Sequence, residues 1–103
     1  KAMDNSLPPM TDEVVDWVSK IFPDRHPMHT TIKMVEEVSE LMDAIFAGGR
    51  NIGEECADVL ILLLDIAHLT GVDLQKEFKN KMAINRSRKW VKRNGALKHD
   101  NPD

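Results

Sequence analysis

At 103 residues and 11.7 kDa, the chain has room for one domain with a modest core, a size at which sharing a core with a second copy is a natural solution. A net charge of −3 argues against general nucleic-acid binding, and the single cysteine, Cys56, excludes an internal disulfide. No signal peptide or apolar run long enough to span a membrane stands out, so the expected setting is the cytoplasm.

Lys1-Ala2 read as an expression remnant before a native start at Met3, within a flexible leader over 1–10. After Pro8-Pro9, Thr11 or Asp12 can cap a first helix to about Phe22, with Val14, Val15, Trp17, Val18 and Ile21 as its apolar set. Pro23-Asp24-Arg25-His26-Pro27 breaks it. A second helix is expected from about Met28 to Ala47, with Met34, Val38, Leu41 and Ile45 along one side and a stop at Gly48-Gly49. Asn51 with Glu54 resembles a capping box for a third helix that ends at Gly71. Asp73 can cap a fourth, running to about Arg93 and closing at Asn94-Gly95, before a polar tail over 96–103.

No segment carries a strand signal. Four helices with short connections predict an all-α, antiparallel four-helix bundle forming a single domain over 11–95. The third helix is apolar nearly all round from Val59 to Leu64, and its three neighbours hardly cover it. A homo-oligomer, dimer or tetramer, with this helix at its interface is therefore expected. Cys56 is expected as a small core residue.

Charge is strongly partitioned. From Glu36 to Asp58 there are seven acids against one base, Arg50; from Lys79 to Arg93 there are seven bases and no acid. Glu36, Glu37 and Glu40 share with Lys33 a polar face opposite the Met34 stripe, while Glu55 and Asp58 open the apolar third helix, and Asp65 follows one heptad later. Carrying a carboxylate into apolar surroundings costs on the order of several kcal/mol of hydration unless a cation replaces the water. Two acids on each of two helices are therefore candidate ligands for Mg²⁺, which takes oxygen donors and binds phosphates. Asp65 has a simpler reading as the partner of an Arg or Lys on the fourth helix. On that helix Lys81, Asn85 and Arg88, spaced four and three apart, line one face able to meet an anion, with Trp90 at its edge.

The ordered motifs Glu-Glu-x-x-Glu at Glu36, Glu37 and Glu40, Glu-x-x-Asp at Glu55 and Asp58, and Lys-Met-x-x-Asn-x-x-Arg at Lys81, Met82, Asn85 and Arg88 resemble the MazG-like all-α nucleoside triphosphate pyrophosphohydrolases. The similarity covers about 28–90. Ala57 to Leu62 and Asn85 to Trp90 are most similar to the small phage and bacterial MazZ-like members, (d)GTP or dATP/dGTP diphosphohydrolases. The resemblance implies cleavage of a (d)NTP between the α and β phosphates to a (d)NMP and pyrophosphate, purine deoxynucleotides and dGTP or GTP first. It further implies two or three Mg²⁺ ions, with Mn²⁺ as substitute. Glu37 and Glu40 then match one pair of ligands and Glu55 and Asp58 the other. Glu36 is left as a third-ion ligand or as the base that orients water. Lys33, Lys81, Asn85 and Arg88 become candidates for phosphate and sugar contacts. Trp17 can stack on the base and Asp16 can read its edge, with Ile21, Phe22 and His29 as further candidates.

Two rivals stand beside this reading. A di-iron carboxylate bundle would use the same acids with Asp65-x-x-His68, though only one approximate carboxylate and histidine pair exists. A non-enzymatic helical module would use the basic fourth helix, and it leaves Glu55 and Asp58 unexplained.

Overall fold

The structure, a computed structural model, describes residues 6–99. The expression remnant and the start at Met3, and the last four residues of the expected tail, lie outside the described residues. Four helices follow in order, α1 (Leu7–Ile21), α2 (Pro27–Phe46), α3 (Ile52–Leu69) and α4 (Leu74–Ser87), and then two short strands, β1 (Trp90–Arg93) and β2 (Ala96–His99).

Helix α1 begins four residues before the expected cap. Prolines are tolerated in a first turn because its N–H groups have no intrahelical partner, so Pro8 and Pro9 open the helix instead of preceding it. Thr11 is inside, its hydroxyl donating to the Leu7 carbonyl at 2.7 Å, and the Leu7 amide donates to the Gln75 side chain of α4 at 3.1 Å. Helix α2 starts at Pro27 behind an unusual cap: His26 Nδ1 accepts from the Met28 amide at 3.0 Å, while the His26 amide donates to His29 Nδ1 at 3.1 Å. Phe22 stacks on His29 with ring centroids 5.7 Å apart.

Gly48 and Gly49 take left-handed backbone angles after α2, as the expected stop requires. Asn51 is the residue before α3, but its φ of 63° turns its side chain away from capping, and the expected box with Glu54 does not form. At the other end of α3 the Val72 amide bonds back to Ala67 and the Gly71 amide to His68, the paired closure that a left-handed Gly71 permits. Asp73 caps α4 as expected, accepting from the Lys76 amide at 3.1 Å.

Past Ser87 the expectation fails. Helix α4 stops six residues early, and Trp90–Arg93 pairs antiparallel with Ala96–His99 across Asn94-Gly95. Both turn residues have positive φ, 54° and 77°, the geometry that Asn-Gly favours between two hairpin strands. The dipeptide read as a helix closure is a hairpin turn, and the first half of the expected polar tail is its second strand.

The principal packing is α2 on α3 and α1 on α3, with a smaller contact of α1 on α4. The core is small: Leu64 and Ala67 of α3 are its buried apolar residues, joined by three buried polar ones, Arg25, Thr30 and Asp65. Asp65 does not pair with α4. Arg25, in the α1–α2 connection, holds it with two bonds, Nε to Oδ2 at 2.7 Å and Nη2 to Oδ1 at 2.6 Å, and the Thr30 hydroxyl adds a third at 3.3 Å. The remaining Arg25 nitrogen donates to the Phe22 carbonyl at 3.1 Å and the Ser19 hydroxyl at 3.4 Å, so one guanidinium ties the end of α1 to the last turns of α3, where Thr30 of α2 meets the same carboxylate.

Candidate active site

Helix α2 meets α3 along Thr30, Met34, Glu37, Leu41 and Ala44, each buried or half-buried and spaced by three or four residues. Glu37 therefore lies in the packed seam and not on a polar face opposite the Met34 stripe. Two members of the expected apolar stripe, Val38 and Ile45, are exposed. At the same level α3 presents acids of its own: one oxygen each of Glu37, Glu55 and Asp58 lies within 4.8 Å of the others. Glu40, one turn beyond Glu37 on α2, is the neighbour that acts most strongly on the Glu37 carboxyl.

Such crowding has a measurable cost. The contact with Glu40, burial and the Glu40 charge push the Glu37 carboxyl up from 4.5 to about 7, with Asp58 adding to the rise and Lys33 opposing it. Glu55 is also raised, first by burial and then by Glu40, Asp58 and Glu54. One oxygen each of Glu37 and Glu55 is buried with no hydrogen-bond donor. Buried carboxylate oxygens without donors, converging from two helices, form an all-oxygen donor set suited to a hard divalent cation such as Mg²⁺ or Mn²⁺. The residues present fit such an ion.

The remaining candidates surround this cluster unevenly. Glu36 is exposed and is not among the converging oxygens; Lys33 is exposed one turn before Glu37. Lys81 and Asn85 line an apolar groove of about 650 Å³ with Leu60, Leu63 and Phe78, and the Asn85 side-chain oxygen is buried there without a donor. Arg88 does not continue their helical face, since it caps α4 in an extended conformation. Trp90 belongs to β1, and its indole N–H folds back to the Asn85 carbonyl at 2.8 Å. Trp17 is 60 % exposed beside a second groove of about 370 Å³ that includes Glu13, Leu60 and Leu64. Among the weaker base-reading candidates, Asp16 pairs with Lys20, Phe22 and His29 stack on each other, and Ile21 is exposed. Cys56 is exposed, not a core residue, because it follows Glu55 on the outward side of α3.

The di-iron rival loses its extra ligand pair, since Asp65 is bound by Arg25 and His68 is exposed. Sequence reasoning passed over Arg25 and Thr30. The signal was present: an aspartate inside the run from Val59 to Ala67 has to find a buried cation, and Arg25 is the base nearest the start of α2.

Comparison with known proteins agrees with this geometry. A family profile described as the MazG nucleotide pyrophosphohydrolase domain matches residues 25–93, which include every acid of the cluster. A dATP/dGTP diphosphohydrolase of Cyanophage S-2L is 43 % identical over 88 residues, covering 84 % of this chain and 81 % of that protein. A dATP/dGTP diphosphohydrolase of Salmonella phage PMBT28 is 43 % identical over 74 residues, 72 % of this chain but 24 % of that longer protein. In three dimensions the chain is similar to a Cyanophage S-2L MazG-like pyrophosphohydrolase bound to dGDP and three catalytic Mn²⁺ ions per active site. The TM-score is 0.81 at 39 % identity, over 93 % of this chain and 98 % of that one. The chain is a hydrolase and belongs to the MazG nucleotide pyrophosphohydrolase family.

Proposed function

We propose that the chain hydrolyses purine deoxynucleoside triphosphates, dGTP foremost and GTP and dATP beside it, to the nucleoside monophosphate and pyrophosphate. The observation that carries this reading is the convergence of Glu37, Glu55 and Asp58 with buried oxygens that lack donors. The relatives named for dATP and dGTP, and the dGDP in the similar structure, support the purine deoxynucleotide assignment.

Mg²⁺, two or three ions with Mn²⁺ as substitute, would be held by Glu37 and Glu40 on one side and Glu55 and Asp58 on the other. When bound, the ions supply charge neutralisation for the triphosphate and for the leaving pyrophosphate. Glu36 orients water toward the α-phosphorus or serves a further ion. The oxygen of that water forms the new bond to the α-phosphorus as its proton passes to Glu36 or to solvent, the bond to the bridging oxygen breaks, and that oxygen leaves with pyrophosphate. Lys33, Lys81, Asn85 and Arg88 contact phosphates and sugar, and Trp17 stacks on the base. Self-association as a dimer or tetramer belongs to the same proposal. Its support is an exposed apolar row on α2, with Ile32, Val35 and Met42 more than half exposed and Phe46 at 90 %. Use of a nucleotide pool places the reaction in the cytoplasm, that of the host for a phage protein. No helix among the described residues is long and apolar enough to cross a membrane.

A panel of common NTPs and dNTPs, with Mg²⁺, with Mn²⁺ and with chelator, tests the reading. Pyrophosphate released from a purine dNTP and abolished by chelator is the expected result. Release of inorganic phosphate, or turnover indifferent to chelator, contradicts it.

A further inference from the structure

Thr30 on α2 bonds Asp65 on α3, and seven residues further along α2, while seven back along α3, Glu37 faces Asp58. Three more in each direction bring Glu40 opposite Glu55, whose carboxyl feels its charge. One antiparallel register therefore joins the buried Arg25–Asp65–Thr30 group to the carboxylate cluster, about 10 Å apart at 1.5 Å per residue.

Apolar packing and the 47–51 connection bring α2 and α3 together, but without the directionality of a paired hydrogen bond. Between the two polar groups the seam holds Met34, a flexible side chain that packs in many arrangements. The Arg25 fork is directional: two parallel bonds of 2.7 and 2.6 Å to one carboxylate are made at a single relative height of the two helices. Its charge pair is 4 % exposed on each side, so slipping would strand a buried carboxylate. At the cluster, by contrast, like-charged groups on facing helices do not themselves hold the two together in the absence of a cation.

We propose that Arg25 and Asp65 are positioning residues of the active site, a register stop that holds α2 and α3 at the one height where Glu37 and Glu40 meet Asp58 and Glu55. The inference rests on the metal-site reading given above. It adds that the site is preset, before any ion binds, by a buried ion pair two turns away.

The test uses the full chain with nitroxides on the native Cys56 and on Ser39→Cys, exposed positions beside the cluster on α3 and α2, with and without Arg25→Met/Asp65→Leu. The apolar pair replaces the ion pair without leaving a charge buried, so the fold is expected to survive it. Two quantities are read on metal-free protein and on Mn²⁺ titration: the spin–spin distance distribution and the Mn²⁺ affinity. The parent should show one narrow distance. The double variant, at unchanged helicity, should gain a population displaced by about 5 Å, one helical turn. Its Mn²⁺ affinity should fall at least about tenfold, with kcat falling and KM nearly unchanged. An unchanged distance, or a changed distance with the parent's Mn²⁺ affinity, overturns the proposal. If the double variant does not fold, Arg25→Lys keeps the charge but cannot make the paired bonds, and the same changes in distance and Mn²⁺ affinity support or overturn the proposal. A parent that binds no Mn²⁺ would sink the metal reading, and the distance alone would then decide whether the ion pair sets the register.

Discussion

The Glu37 carboxyl lies against that of Glu40, one turn along the same helix, and this neighbour is the largest cause of the rise in its pKa. In the metal-free chain a proton on Glu37 relieves the repulsion that a bound cation would otherwise neutralise.

Folding stability should follow it. Glu37 titrates at 4.5 when unfolded and at about 7 when folded, so between these values the folded chain binds a proton that the unfolded chain has released. Stability in chelator should therefore fall as pH rises from 4.5 through about 7. With Mn²⁺ the cation displaces the proton, and the decline should be removed because metal affinity rises across the same window. Melting curves at several pH values, with and without Mn²⁺, check both signs.

Arg25→Met alone leaves Asp65 charged, buried and without its bidentate partner. It should cost about 3–5 kcal/mol in urea unfolding, and adding Asp65→Leu should recover most of the loss. A single variant as stable as the parent would show that the pair is incidental.

Trp17 is exposed beside Leu60 and Leu64, so Trp17→Ala should leave the melting temperature within a few degrees. If the indole stacks on the base, KM for dGTP should rise about thirtyfold, near the middle of the range for one base–aromatic stack. Steady-state kinetics beside a thermal melt separates the two effects.

Asn85→Ala removes a side-chain oxygen that is buried and has no donor, so the oxygen takes no hydrogen bond with it when it goes. The expected outcome is a stability close to the parent and a KM raised about fivefold to tenfold, the worth of a hydrogen bond made only with substrate. Loss of stability without a change in KM would assign Asn85 to the fold.

Much of this was legible in the sequence, for physical reasons that can be named. Helices α2 and α3 follow from apolar spacing and from glycines that must take positive φ, and of the four acids recognisable as two on each of two adjacent helices, Glu37, Glu55 and Asp58 converge. Their detailed placement was less so. Treating apolar residues as the packed face put Glu37 on the wrong side of α2, because the seam is itself polar at Thr30 and Glu37 and leaves Val38 and Ile45 exposed. Asn94-Gly95 was ambiguous between a helix end and a hairpin turn, and the basic residues around it carry no alternation to decide it. That Asp65 needs a buried cation was legible, but its partner was assigned to α4 because Arg25 lies in a connection 40 residues away and only the tertiary fold brings the two together.

The most direct test of the central claim, that acids of α2 and α3 together hold the ions that hold the triphosphate, is Mn²⁺ binding and pyrophosphate release in Glu37→Gln and Asp58→Asn. Each variant should lose bound Mn²⁺ and at least about a hundredfold in turnover while keeping the helicity of the parent. Turnover that survives both substitutions would contradict it.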